Sequence, residues 1–203
     1  MNRPLFRATM PLVLASASPR RKHFLRELGL AFRIHPAAVD ETPLAGEGPD
    51  AFAGRMAETK ADVVAERFPD SLVIAADTVV CVDGDILGKP ADPAEALVML
   101  GRLVNRSHRV ITGLAIHCRK KQIRRSATES TTVVFADWPE PILAAYVRSG
   151  EPLDKAGAYG IQGKGGFLVR EISGSCSNVV GLPIHLLVRW LLEHQAIGCT
   201  PGS

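Results

Sequence analysis

Several patterns that usually announce a function are missing from this chain. Its four cysteines, Cys81, Cys118, Cys176 and Cys199, lie far apart and form no CxxC pair. Zinc sites and disulfide frameworks need closer or more patterned spacing, so these read as reduced thiols. The six histidines form no HxH or HxxxH pair, which removes the usual sequence signature of a histidine metal centre. Neither GxxxxGK[ST] nor GxSxG occurs, so no Walker-type phosphate loop or serine nucleophile elbow is indicated. Aromatic residues make up only 5%, and Trp138 and Trp190 are isolated, leaving no stacking platform for single-stranded nucleic acid. Charge of one sign is also scarce: 24 Lys and Arg face 21 Asp and Glu, a net charge of +3. That excess is too small and too dispersed for a nucleic-acid protein. No apolar run approaches the roughly 18–20 residues of a membrane span. Arg3 and Arg7 precede an apolar stretch ending Ala15-Ser16-Ala17, but Thr9 and Pro11 break it, so a signal peptide is not expected. The expectation is a cytoplasmic protein with neither nucleic-acid nor membrane partners.

What is present is an ordinary globular balance, with 46% hydrophobic and 22% charged residues in 203, enough to bury a substantial core. Leu12 to Ala15 reads as a short buried strand, followed by a helix from Pro19 to Leu28 that Gly29 stops. Ala31 to Ile34 can be a second strand. Residues 40–49, rich in Glu, Gly and Pro, read as a loop. Asp50 then caps a helix to about Arg67, with Phe52, Met56, Val63 and Val64 at roughly helical spacing. Ser71 to Val82 reads as a buried strand, turned back by Asp83-Gly84 through Ile86-Leu87. Asp92-Pro93 opens a helix through Leu103. Strands are expected over Val110–Cys118, Ser130–Phe135 and Phe167–Ile172, with helices over Pro139–Arg148 and Gly181–His194. The antiparallel hairpin within this order predicts an α/β fold with a mixed sheet. A single domain is expected over residues 10–197, with 1–9 and 198–203 as loose tails.

Three segments carry chemical signals. In Ser16-Ala17-Ser18-Pro19-Arg20-Arg21, Ser18 is a natural N-cap and Pro19 a natural first helical residue. Arg20 and Arg21 then fall in the first turn, where cations oppose the helix dipole by roughly 0.3–1 kcal/mol each. A bound anion reverses that penalty; arginines pointing into water are the plainer alternative. In Ala75-Ala76-Asp77-Thr78 a carboxylate sits inside an apolar strand, which is costly unless it is paired, hydrogen-bonded or metal-bound. Glu41 lies in a loop able to approach the same cleft, and oxygen donors of this kind suit Mg²⁺ or Mn²⁺. Lys60, Lys89 and Lys155 could supply the distributed positive charge that phosphoryl-type transfer needs, although any one of them could simply be solvated. Residues 156–166 hold five glycines in eleven positions. Gln162 there could read a base edge, and Tyr159 is expected to fill the core rather than stack on a ligand.

Taken together these segments resemble the Maf family of nucleoside triphosphate pyrophosphatases. The matching blocks are Leu14 to Arg21, Ala76 to Val80, Leu87 to Pro90, Thr112-Gly113, Gly150 to Gly163 and Asn178 to Pro183, and in order they span about residues 12 to 192. The resemblance implies an elongated α/β fold whose central mixed sheet is flanked by helices, with a cleft between two lobes. It implies attack by water at the α-phosphate of a nucleoside triphosphate, assisted by a divalent cation (Mg²⁺ or Mn²⁺). By the same resemblance Asp77 takes the proton of the attacking water. Ser16, Arg20, Arg21, Lys60, Lys89 and Lys155 face phosphates, Lys89 acting with Asp77 as a catalytic group, and Glu41 is a metal ligand beside Asp77. Arg20, Thr78 and Gln162 select the base. The Asp-Lys-Ala-Gly-Ala-Tyr-Gly-Ile-Gln-Gly form is similar to the branch acting on dTTP and UTP. A branch hydrolysing 7-methyl-GTP or another purine nucleotide is the second reading, and a nucleotide-binding division regulator without useful catalysis is the third. The resemblance is also compatible with a homodimer. Cys176 stands where the family commonly has an aromatic residue.

Overall fold

A computed structural model describes residues 4–200. Its centre is a seven-stranded mixed sheet. The strands are β2 (Leu12–Leu14), β3 (Arg33–Ile34), β4 (Leu72–Val82), β5 (Asp85–Leu87), β6 (Ser107–Cys118), β7 (Ile123–Phe135) and β8 (Val169–Ser173). The order is β3-β2-β4-β6-β7-β8, with β5 paired to β4. β2 runs parallel to β3 and β4, and the remaining pairs are antiparallel. Helices cover both faces: α1 (Pro19–Glu27), α2 (Pro49–Arg67), α3 (Pro93–Leu103), α4 (Glu140–Arg148), the short α5 (Cys176–Val180) and α6 (Ile184–Glu193).

The alternation of side chains along β4 explains how the layers assemble. Leu72, Ile74 and Ala76 join Leu12, Leu14, Leu25 of α1 and Leu187, Trp190 and Leu191 of α6 in one buried cluster. Val73 and Ala75 point the other way, into Ala57, Ala61 and Val64 of α2. Past the middle of the strand the apolar contacts resume: Val80 and Val82 meet α3 and α4, and Val79 and Cys81 meet Phe52 and Met56 of α2. Asp77 and Thr78 alone break the run of buried residues in β4. They sit where one pair of apolar clusters gives way to the next.

Local signals account for several element ends. Ser18 caps α1, its hydroxyl accepting from Arg21 N, and Asp92 caps α3 by accepting from Glu95 N. Asp83 and Gly84 both have positive φ, 54° and 88°, as the tightest hairpin turn requires. Gly113 on β6 has a different reason to be glycine. A Cβ there would lie 2.0 Å from the carbonyl oxygen of Ala53, so α2 rests directly on the backbone of β6.

Elsewhere the structure departs from the sequence reading. The cap of α2 is Gly48 with Pro49 first in the helix, and Asp50 lies in the first turn, where it accepts a hydrogen bond from Arg109. Val63 faces outward at 44% exposure, unlike Phe52, Met56 and Val64. β7 begins at Ile123, seven residues before the strand expected at Ser130, because its first half alternates exposed polar side chains with partly covered ones. Phe6–Ala8 (β1), expected within a loose tail, pairs antiparallel with Ile197–Cys199 (β9). Among the described residues no helix is long and apolar enough to cross a membrane.

Candidate active site

The polar break in β4 opens onto a cavity of about 820 Å³. Ser16, Arg20, Arg21, Glu41, Lys60, Asp77, Thr78, Lys89, Lys155 and Gln162, singled out in the sequence, all line it. They come from the β2–α1 junction, the 40s loop, α2, β4, the segment after β5 and the Gly-rich stretch, so the topology brings together groups spread over the chain.

Asp77 is held from the α2 side. Lys60 Nζ donates to its Oδ1 at 2.6 Å and also lies 2.6 Å from Glu41 Oε1. The Asp77 and Lys60 side chains are 13% and 10% exposed, whereas Glu41 reaches 58%. A nearly buried carboxylate and ammonium therefore compensate each other, and Glu41 joins them from the rim. Burial opposes ionisation of Glu41, but the hydrogen bond and charge of Lys60, with Lys89 and Arg21 farther off, hold its carboxyl below the ordinary glutamate range.

The next residue along β4 faces the opposite side. Thr78 accepts from Arg21 Nη2 at 3.0 Å and shares a hydrogen bond with Thr112, whose hydroxyl donates to the Asn178 carbonyl. Arg21 also donates from Nε to Gly181 O and from Nη1 to Ala76 O, both at 2.7 Å, and from Nη1 to Ser16 Oγ. Burial lowers its pKa, countered by the negative charge of Asp77. Most of this guanidinium is thus turned onto protein oxygens, clasping the residues on either side of Asp77. That use of Arg21 differs from the phosphate-facing one implied by resemblance. Gly181 takes φ of 112° beneath it, where a Cβ would crowd Thr78 Oγ1 at 3.2 Å.

At the other wall Arg20 lies 3.8 Å from Asp154, and Lys155 Nζ lies 2.5 Å from Asp154 Oδ1 and donates to Glu151 O. Burial raises the cost of charge on Asp154, yet the hydrogen bond and charge of Lys155, helped by Arg20, leave its carboxyl lowered. Tyr159 is 5% exposed and its hydroxyl shares a 2.8 Å hydrogen bond with His108 Nε2, so it belongs to the core. Asp154, Glu151, Thr112 and Asn178 had no role assigned from sequence. Their partners are mostly distant in the chain or on the backbone, and neither leaves a spacing signal.

These features define a mixed α/β protein with a crevice that concentrates arginine and lysine around a strand-borne carboxylate. Comparison with known proteins narrows that class. A family model described as Maf-like protein matches residues 11–194. A protein of Desulfotalea psychrophila named dTTP/UTP pyrophosphatase is 50% identical over 193 residues, covering 95% of this chain and 99% of its own. Relatives of the same name from Myxococcus xanthus and Nitratidesulfovibrio vulgaris are 51% and 49% identical, over 92% and 96% of this chain and 93% and 92% of theirs. The chain belongs to the Maf family.

Proposed function

We propose that this protein is a nucleoside triphosphate pyrophosphatase acting on dTTP and UTP, which it converts to the monophosphate and pyrophosphate. The relatives' names support the substrate class, and the charge layout of the cavity supports the reaction. The observation that carries the reading is Asp77, fixed by Lys60 through Oδ1 at 2.6 Å within a crevice that also holds Arg20, Lys89 and Lys155.

In this mechanism Lys89, Lys155 and Arg20 hold the triphosphate and spread the charge that grows on its oxygens. Asp77 orients a water against the α-phosphorus and takes its proton at the oxygen that Lys60 leaves free. As the water oxygen bonds to phosphorus, the bond from the α-phosphorus to the α,β-bridging oxygen breaks. Its electron pair leaves with pyrophosphate. Gln162 presents a carboxamide that can both donate to and accept from a pyrimidine edge.

The residues also fit a divalent cation. Glu41 and Asp77 already converge on one positive centre, Lys60 Nζ, each at 2.6 Å, and both are hard oxygen donors. Glu41 and Asp77 would hold a Mg²⁺ or Mn²⁺ ion, which would supply positive charge against the phosphates. The setting of such an enzyme would be the cytoplasm, in keeping with four free thiols.

Asp77→Asn tests this reading. It keeps the size of the side chain and an acceptor for Lys60 but removes the proton acceptor. Turnover of dTTP, followed by pyrophosphate release with Mg²⁺ or Mn²⁺, is expected to fall by at least about 10²-fold, while dTTP binding by calorimetry is largely kept. Turnover at the wild-type rate would remove Asp77 from the chemistry.

A further inference from the structure

The Gly-rich segment that carries Gln162 is folded around two side chains that take no part in the proposed reaction. Glu151 points back into the loop. Its Oε2 accepts from Lys164 N at 2.9 Å, and its Oε1 accepts from Gly165 N and from the Tyr146 hydroxyl, both at 3.0 Å. The Tyr146 oxygen in turn accepts from Gly160 N at 3.2 Å. A tyrosine on α4 and a glutamate in the turn after it thereby bind three backbone amides, one before Gln162 and two after it.

This bracket accounts for much of the glycine density. A Cβ on Gly165 would lie 2.5 Å from the Tyr146 hydroxyl, and one on Gly163, where φ is 99°, would lie 3.1 Å from Glu151 Oε2. On Gly160 it would collide with Lys155 Cε at 2.7 Å. Positions 160, 163 and 165 are glycine where the lysine stem, carboxylate and phenol press against the backbone. Burial opposes charge on Glu151, but the amides of Lys164 and Gly165 and the Tyr146 hydroxyl outweigh it and keep the carboxyl below the ordinary glutamate range. Burial raises the Tyr146 pKa, so its proton stays on the oxygen and the phenol remains a donor to Glu151.

Gln162 itself is exposed and lines the cavity. The bonds that shape the loop are made to its neighbours rather than to its own carboxamide. Where that carboxamide sits is decided by the backbone on either side. Glu151 also ties this loop to the phosphate end of the crevice, because its main-chain oxygen accepts from Lys155 Nζ at 2.5 Å.

We infer that Tyr146 and Glu151 are positioning residues for base discrimination, their bracket fixing the loop that presents Gln162 to the pyrimidine. The inference rests on the substrate reading above. A recognition group held stiffly rejects a mismatched hydrogen-bonding edge, whereas one on a loose loop adapts to it.

Tyr146→Phe and Glu151→Gln separate the bracket from general stability. The first keeps the ring and removes one hydroxyl; the second keeps shape but sets an amide donor against backbone donors. Two quantities are to be measured in each: hydrogen exchange of the Gly160, Lys164 and Gly165 amides, and the ratio of kcat/KM for dTTP over dCTP. Both variants are expected to raise exchange at these amides by about tenfold or more, Glu151→Gln the more strongly. The dTTP/dCTP ratio is expected to fall at least about fivefold, while the β4 and β6 amides keep wild-type protection. Unchanged loop exchange in both variants would overturn the bracket. Faster exchange with an unaltered ratio would overturn the positioning role. If the wild type cleaves neither nucleotide, the substrate reading fails on its own. The ratio of dTTP to dCTP affinities by calorimetry then replaces the kinetic ratio, with the same two outcomes.

Discussion

At the scale of single residues, His108 shows how the core beside the site constrains its behaviour in acid. The ring is 3% exposed, its Nε2 is committed to Tyr159, and Nδ1 is buried without a partner among the described residues. Edge-on contacts with Phe135 and Tyr159 complete its surroundings. Burial lowers its pKa from 6.5 to about 4. An unfolded chain therefore takes up this proton below about pH 6.5, while the folded one resists until about pH 4. Stability contributed by the neutral ring is full above the unfolded value and is lost as pH falls across that window, by about 3 kcal/mol in total. His108→Gln keeps a partner for the Tyr159 hydroxyl and removes the titration. Urea unfolding at pH 7 and pH 4.5 should show a smaller drop for this variant than for the wild type. An equal drop would mean that other groups set the acid limit. Legibility at this scale follows contrast with the local surroundings. Asp77 stands out because it interrupts an apolar strand, and Arg20 and Arg21 because they crowd a helix start. The inward turn of Arg21 left no such trace, since its acceptors on Ala76 and Gly181 lie 55 and 160 positions away.

Between elements, a close approach of helix to strand helps set the geometry of Lys60. α2 bears that lysine and rests on β6 at Gly113, where the Ala53 carbonyl occupies the space a methyl group would need. Gly113→Ala must lift the helix or bend the strand, at a cost of about 1–3 kcal/mol or more. The helix also sets the 2.6 Å contact between Lys60 and Asp77, so dTTP turnover should drop with stability. Chemical denaturation and a turnover assay below the melting range test both halves; wild-type values in each would show that the contact relaxes freely. The elements that could be read in advance were those with their own punctuation: Ser18-Pro19, Asp83-Gly84 and Asp92-Pro93. The first half of β7 could not, because one of its faces is polar and half-covered. Nor could the five-residue α5 or the three-residue β1 and β9, which depend on partners far along the chain.

Across the whole molecule, β1 and β9 bring residues 6–8 onto 197–199, and Phe6, Ala8 and Met10 pack on the cluster beneath α1 and α6. None of residues 4–9 lines the cavity. A chain started at Met10 should lose about 2–3 kcal/mol from unpaired and uncovered apolar surface, read as a lower Tm, and still cleave dTTP at 20 °C at close to the full rate. An unchanged Tm would make the ribbon energetically idle. The fold also limits where its length can change. Asp77 and Thr78 occupy adjacent steps of β4, matched to Gly113 and Thr112 in an unbroken register of nine residue pairs with β6. One looks toward Lys60 and the other toward Arg21. Adding one residue between Leu72 and Ala76 would set the carboxylate before the guanidinium, removing one would set the hydroxyl before the ammonium, and either would turn the apolar neighbours inside out. Indels are thus tolerable in peripheral loops and ruinous along this strand, so descendants of the sequence can drift in size only around an axis of constant length.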